Sequence, residues 1–277
     1  MIIGYRRDVD DVLRAAIALK REPSATLVCG KNTRDVKEKL KLYRGDAKVM
    51  VEALVPHVPT AVRLKLRERP PRVGSRCQPS LHTYITFSLR HRQCVPDELV
   101  RLIASYYPDI GQALARKDGL AKKYFFMHME VLREIERLKA HTRPRPAGGL
   151  MYVEIRPDHD VVDLYLEWIA KRVNDRASVV KAHDDSYYLA NANLLGHDLW
   201  IKKISDEEAR RLIGDLPQDD FSTWETYYDS QLIESRRNKT FAKKMLPAKY
   251  SYISPEVRLE RLKIEHGISK HNLDDFF

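Results

Sequence analysis

The chain has 277 residues, enough for one large or two small domains with a real core, and its apolar (43%) and charged (32%) fractions are those of a globular protein. No apolar run is long enough to span a bilayer, and Met1-Ile2-Ile3-Gly4-Tyr5 is too short for a signal peptide, so an intracellular, cytoplasmic protein is expected. Three cysteines, Cys29, Cys77 and Cys94, are too few for a disulfide framework, and a net charge of +10 favours a polyanionic partner, of which nucleic acid is the commonest.

In chain order, Ile2 and Ile3 read as a short strand. Residues 8–20 place Val9, Val12, Leu13, Ala16 and Ile17 on one face, which is helical spacing. Residues 25–29 read as a second strand or a helix entry. Gly30-Lys31-Asn32-Thr33 lacks the upstream glycine of a phosphate loop and is not read as one. Helices are expected over 35–43 and 46–55. Residues 63–76 gather Arg63, Lys65, Arg67, Arg69, Arg72 and Arg76 around Pro70-Pro71 and Gly74: either a basic loop that grips phosphates or a solvated connector. Cys77-x4-His82 and His91-x2-Cys94 supply the donors of tetrahedral zinc, provided that a strand over 82–89 returns the second pair to the first. The alternative is four separate side chains, and no metal or cofactor is assigned.

From Pro96 the pattern turns helical, with Asp97 opening a helix through Leu99, Leu102, Ile103 and Tyr106. A longer helix over 111–140 carries Tyr124, Phe125 and Phe126, read as core ahead of the alternative, base-stacking platforms. Residues 142–149, rich in proline and glycine, read as a linker. Three parts follow: a mixed, mainly helical region (1–146), a second α+β domain (147–266) and a flexible tail (267–277). The second half opens with a strand over 151–155. The next helix buries Val162, Tyr165, Leu166, Ile169 and Val173 and exposes Lys171, Arg172 and Arg176. Short strands are expected at 178–181, 187–191 and 199–203. Ser205 with Glu208 forms a capping box for a helix that Gly214 ends. An aromatic and basic helix spans 221–244, and Ser254 with Pro255 starts a last helix. The fold class is α/β (α+β), mostly helical, with a small mixed or antiparallel sheet in the second half.

Arg236, Arg237, Asn238, Lys239, Lys243, Lys244 and Lys249 crowd a short stretch interleaved with Tyr227, Tyr228, Phe241 and Tyr250. With Arg172 they are the candidate nucleic-acid contacts, because phosphates take charge-assisted hydrogen bonds from Arg and Lys and aromatic faces stack on unpaired bases. The alternative is a solvated helix face above an aromatic core. Glu154, Asp158, Asp160, Asp184 and Asp185, with His159 and His183 among them, are either ordinary caps or the cation ligands of a nuclease. No catalytic residue is assigned.

Two likenesses add to this. Lys270-x-x-Leu273-x-x-Phe276-Phe277 resembles the PCNA-interacting peptide, with Lys270 where glutamine is usual; one 3₁₀ turn stacks Leu273 on Phe276 as an apolar plug. The alternative is that both phenylalanines fold onto the protein's own core. Residues 149–160 (Gly-Leu-Met-Tyr-Val-Glu-Ile-Arg-Pro-Asp-His-Asp), continuing through Ile169-Ala170-Lys171-Arg172, and Trp224-x3-Tyr228-x-Ser230-x2-Ile233-x3-Arg237-Asn238 with Met245-Leu246-Pro247-Ala248-Lys249-Tyr250, resemble the family labelled putative DNA-metabolism protein. That family's domain occurs beside uracil-DNA-glycosylase-like domains and is paired with a radical-SAM DNA-repair protein. These resemblances imply a DNA-binding protein of repair or modification, recruited to the PCNA sliding clamp, in an archaeal setting, with a radical-SAM partner. The other implied classes are a repair enzyme (a glycosylase or a nuclease) and an RNA-binding or RNA-modifying protein.

Overall fold

The structure, a computed structural model, describes residues 1–214 apart from 45, 68–78 and 184, then 226, 230, 240 and 247–265. It is mostly helical, as the sequence predicts, with the expected sheet in the second half and a second, three-stranded sheet near the start of the chain, and it divides into two compact units, Met1–Arg133 and Glu134–Phe277.

The first unit begins with β1 (Ile2–Arg6), α1 (Val9–Arg21), β2 (Thr26–Gly30), α2 (Thr33–Lys41) and β3 (Lys48–Met50). The three strands form a parallel sheet in the order β2-β1-β3. Strand alternation sends Ile2 and Val28 to one face, where they meet Val36 and Leu40 of α2, and Ile3, Tyr5 and Leu27 to the other, with Val12, Leu13 and Ala16 of α1. On the first face α2 lies so close that a Cβ at Gly30 would stand 2.6 Å from a Val36 methyl, and one at Gly4 would do the same. Gly30 therefore serves helix-on-strand packing, while the neighbouring Asn32 caps α2 by accepting from the Asp35 amide at 2.9 Å. Asp8 caps α1 in the same way.

Residues 46–55 form β3 followed by the short α3 (Val51–Leu54) instead of the single helix expected, because Lys48–Met50 is drawn into parallel pairing with β1. Next come α4 (Thr60–Arg67), α5 (Leu81–Arg90), α6 (Pro96–Tyr106), a 3₁₀ turn over Ile110–Ala115 and α7 (Gly119–His141). The strand expected at 82–89 is helix α5. Ser80 caps it by accepting from the Thr83 amide, and Leu81, Tyr84, Ile85, Ser88 and Leu89 bury one face. The long helix expected over 111–140 is interrupted at Arg116, which takes a left-handed conformation. Tyr124 is buried and Phe125 half-buried, whereas Phe126 is 59% exposed and is not core. The Tyr5 hydroxyl donates to Asp97 at 2.6 Å, tying the central strand to the start of α6.

At the carboxyl end of β1, Asp11 is fully buried and accepts from the Arg6 backbone amide (2.9 Å), Arg6 Nε (2.8 Å) and Arg14 Nη1 (2.9 Å). Arg6 also reaches Glu52 of α3 at 2.6 Å. In open parallel sheets the crevice outside the carboxyl ends of the strands is where ligands usually bind. Here a network of ion pairs occupies that end of β1.

The second unit contains the last turns of α7, then β4 (Arg145–Ala147), β5 (Leu150–Glu154), α8 (Val162–Arg172), β6 (Ser178–Lys181), β7 (Tyr187–Ala190), β8 (Ile201–Ile204), α9 (Asp206–Ile213) and α10 (Pro255–Glu265). Its five strands run β4-β5-β6-β7-β8, with β5 and β6 parallel and the other pairs antiparallel, so the sheet is mixed as expected. Residues 142–149, read as a linker, supply β4 and the turn into β5. Gly148 and Gly149 both have positive φ (56° and 81°), the requirement of a two-residue hairpin turn whose twist matches the strands. A Cβ at Gly148 would also stand 2.4 Å from the Leu212 carbonyl oxygen of α9. One sheet face packs Leu150, Tyr152, Val179, Leu189 and Ile204 against Ala209 and Ile213 of α9. α8 buries Tyr165, Leu166, Ile169 and Ala170 and contacts β6 and β7.

Candidate nucleic-acid interface

Of the predicted nucleic-acid contacts, Arg236, Arg237, Asn238, Lys239, Lys243 and Lys244 lie outside the described residues, as do Lys270, Leu273, Phe276 and Phe277 of the tail and Cys77 of the cysteine–histidine set. Lys249 and Arg172 are described, and they stand in different settings.

Lys249 follows the 3₁₀ start at Ala248 and is held by two carboxylates. Its ammonium lies 2.6 Å from Glu134 Oε1 and 2.7 Å from Asp158 Oδ2. Burial alone would lower its pKa, but the hydrogen bonds to Asp158 and Glu134 outweigh that and raise it. Glu134 is itself buried and accepts the backbone amides of Asp158 (3.0 Å) and His159 (2.9 Å), fixing the loop between β5 and α8. Lys249 is thus a clamp within the second unit.

Of the five candidate carboxylates, Glu154, Asp158 and Asp185 are paired with cations. Glu154 receives Arg156 at 2.6 Å, Asp158 receives Lys249, and Asp185 receives Lys181 at 3.0 Å. Asp184 is outside the described residues, and Asp160 and His183 are exposed. Among the described residues no three metal-ligating groups gather within the second unit. In the first unit, His82 lies in the first turn of α5 and His91 caps its far end, roughly 13 Å away along the axis at 1.5 Å per residue. The helix keeps these two imidazoles too far apart to share a zinc ion. The His91 ring is engaged on both sides, accepting from the Gln93 amide (3.1 Å) and bonding Glu130 through Nε2 (2.9 Å). Burial pushes the Cys94 thiol up to about 11, so it is a neutral thiol at ordinary pH.

Arg172 is exposed in the last turn of α8, beside exposed Lys171 and close in sequence to exposed Arg176. This end of the helix is built by a residue that sequence reasoning passed over. Asn191, buried and in the left-handed region (φ 56°), donates its amide to the carbonyls of Ala170 (2.9 Å), Val173 (2.6 Å) and Arg176 (3.1 Å). Its side-chain oxygen accepts from the Trp200 indole nitrogen. Helix C-termini leave carbonyls without intrahelical partners, and one asparagine here serves three acceptors in and beyond the last turn.

The loop from Asn191 to Trp200 joins β7 to β8 and is closed on itself. Leu194 N donates to Asn191 O (3.0 Å), Gly196 N to Asn193 O (3.1 Å), His197 N to Ala192 O (3.3 Å) and Ala192 N to Trp200 O (3.0 Å). Between this loop and the end of α8 lies a cleft of about 280 Å³, lined by Ala170, Lys171, Asn174, Asn191, Asn193, Leu194 and Trp200. The signal available in sequence was Leu194-Leu195 and Leu199-Trp200 in a turn between two strands, where polar residues are the rule.

Residues 96–256, more than half of the chain, match the model of a family described as a domain of unknown function, DUF4130. The match overlaps the stretch of the second half that carries the family likeness and begins further upstream, at the start of α6. No curated protein matches the chain. The cleft, the Asn191 cap and the Glu134 clamp all fall within the matched residues, and the chain belongs to the DUF4130 family.

Proposed function

We propose that this protein binds DNA in repair or modification, is brought to the PCNA sliding clamp by residues 270–277, and works beside a radical-SAM enzyme. The observation that carries the DNA-binding reading is the end of α8, where Lys171, Arg172 and Arg176 stand exposed together. The net charge of +10 supports it, and so does the basic stretch from Arg236 to Lys244 in sequence. Phosphate contacts made by such cations release condensed counterions and give binding a steep salt dependence.

The test is fluorescence anisotropy with a labelled duplex over a range of salt concentrations. The triple variant Lys171→Ala/Arg172→Ala/Arg176→Ala is expected to bind about tenfold more weakly, with the log–log salt slope reduced by about two to three. An unchanged slope removes these residues from the interface, and no binding by the unaltered protein overturns the reading. Clamp recruitment is checked separately by calorimetry against PCNA. Deleting residues 273–277 is expected to abolish measurable affinity, and a truncated chain that binds the ring as well as the full chain ends that part of the proposal.

A further inference from the structure

We propose that the cleft at the end of α8 receives one unpaired nucleobase, stacked on Trp200 and Leu194, with the flanking phosphates on Lys171 and Arg172. This rests on the nucleic-acid reading above and adds the form of ligand that the site selects.

Three observations converge on it. The first is apolar surface held in water. Leu194 is 50% exposed, Leu195 40%, Leu199 61% and Trp200 42%. They stand out on a loop closed by its own backbone hydrogen bonds and by the Trp200–Asn191 bond. Exposed apolar side chains gathered on one held loop mark an interaction site more often than scattered ones do. The second is size. A space of about 280 Å³ falls just below the range of ordinary small-molecule pockets and suits one planar ring system.

The third is charge. The C-terminal end of α8, carrying the partial negative charge of the helix, forms one wall, so an anion is disfavoured inside the cleft. Phosphates are favoured outside it, on the cations of the rim. A neutral heterocycle with N–H donors fits the interior and an anionic backbone fits the edge, which is the composition of a nucleotide strand. Asn191 spends its amide on the fold, but Asn174 and Asn193 are exposed at the cleft and offer both donor and acceptor to a base edge. Asp175 and Asp198 are also exposed nearby, and they leave the Lys171 and Arg172 side as the path for the backbone. A base within a duplex shows only its edges, so only an unpaired one can lay its face on Trp200.

The full-length protein is titrated by anisotropy into a short DNA single strand, the same sequence as RNA, a matched duplex and a duplex with a single-base bulge. The single strand and the bulge are expected to bind about tenfold more tightly than the matched duplex, the scale of one stacked base. Trp200→Ala is expected to remove that preference, and Trp200→Phe to keep most of it. Because Trp200 also holds Asn191, Leu194→Glu provides a second variant that breaks no hydrogen bond of the fold; it is expected to remove the preference as well. Equal affinity in every arm, or a preference that survives both Trp200→Ala and Leu194→Glu, overturns the cleft while leaving DNA binding intact. No binding in any arm overturns both. Tighter RNA than DNA binding upholds the cleft and overturns the choice of DNA.

Discussion

Asn191→Ala is expected to destabilise the second unit by about 3 kcal/mol and to weaken binding of unpaired strands along with it. The side chain is 3% exposed; its two amide hydrogens are shared among three carbonyls, and its oxygen accepts from Trp200. Alanine leaves the Ala170, Val173 and Arg176 carbonyls without this partner, and each buried group that stays unsatisfied costs about 1–3 kcal/mol. Water entering the new space recovers part of that. Alanine also tolerates the left-handed backbone less well than asparagine, which adds roughly 1 kcal/mol. Asn191→Gly separates the two causes, since glycine relieves the backbone but supplies no amide. Hydrogen exchange of the α8 amides reads the outcome. Protection close to that of the unaltered protein in both variants would show that the carbonyls find other partners, and would deny Asn191 its organising role. Asn191→Asp should be at least as damaging as alanine, because a carboxylate facing three carbonyl oxygens is repelled where the amide was held.

In the first unit, Asp11→Ala is expected to cost about 3 kcal/mol. Removing one partner of a buried ion pair leaves the other charge uncompensated, which typically costs 3–5 kcal/mol. The lower end applies because the Arg6 and Arg14 side chains are 33% and 13% exposed and regain hydration. Glu52 at 2.6 Å also goes on neutralising Arg6. The pH dependence gives a sharper check. Burial would raise the Asp11 carboxyl, but bonds from the Arg6 guanidinium and amide and from Arg14 outweigh it and hold the pKa below its ordinary 3.8. A carboxyl whose pKa is lower in the folded state stabilises the fold at pH values above 3.8. That contribution is lost as pH falls through the folded-state pKa. The gap between the unaltered protein and Asp11→Asn in urea denaturation should therefore be constant from neutral pH to about 5 and close below about 4. A gap that persists undiminished in acid would mean that the Asp11 charge contributes nothing.

The parts of the fold legible in the sequence are those decided within a few residues. Ser205 and Ser254 cap the helices they precede, and helical spacing places Arg172 on the exposed side of α8. Failures occur where local signals compete or where distance decides. The alternation around His82 to Leu89 imitates a strand, while the same residues carry a buried helical stripe once Ser80 caps them. Gly148-Gly149 resembles a linker until Ala147 is seen paired with Leu150 across it. The cleft was the least legible feature. It depends on Asn191 reaching carbonyls 15 to 21 residues earlier in the chain, a relation that no spacing rule reports.

The Glu134 clamp bears on residues 215–246. Gly214 closes α9 on one side of that stretch, and on the other Lys249 is gripped by Glu134 and Asp158. Both exits of a cation-rich stretch are thereby moored to the same unit. One carboxylate thus ties α7 to segments 24 and 115 residues further along the chain, so the loop before α8 and the turn at Lys249 share a single anchor. Glu134→Gln would loosen both at once, since a neutral amide offers one acceptor oxygen where the carboxylate has two and leaves the Lys249 ammonium with Asp158 alone.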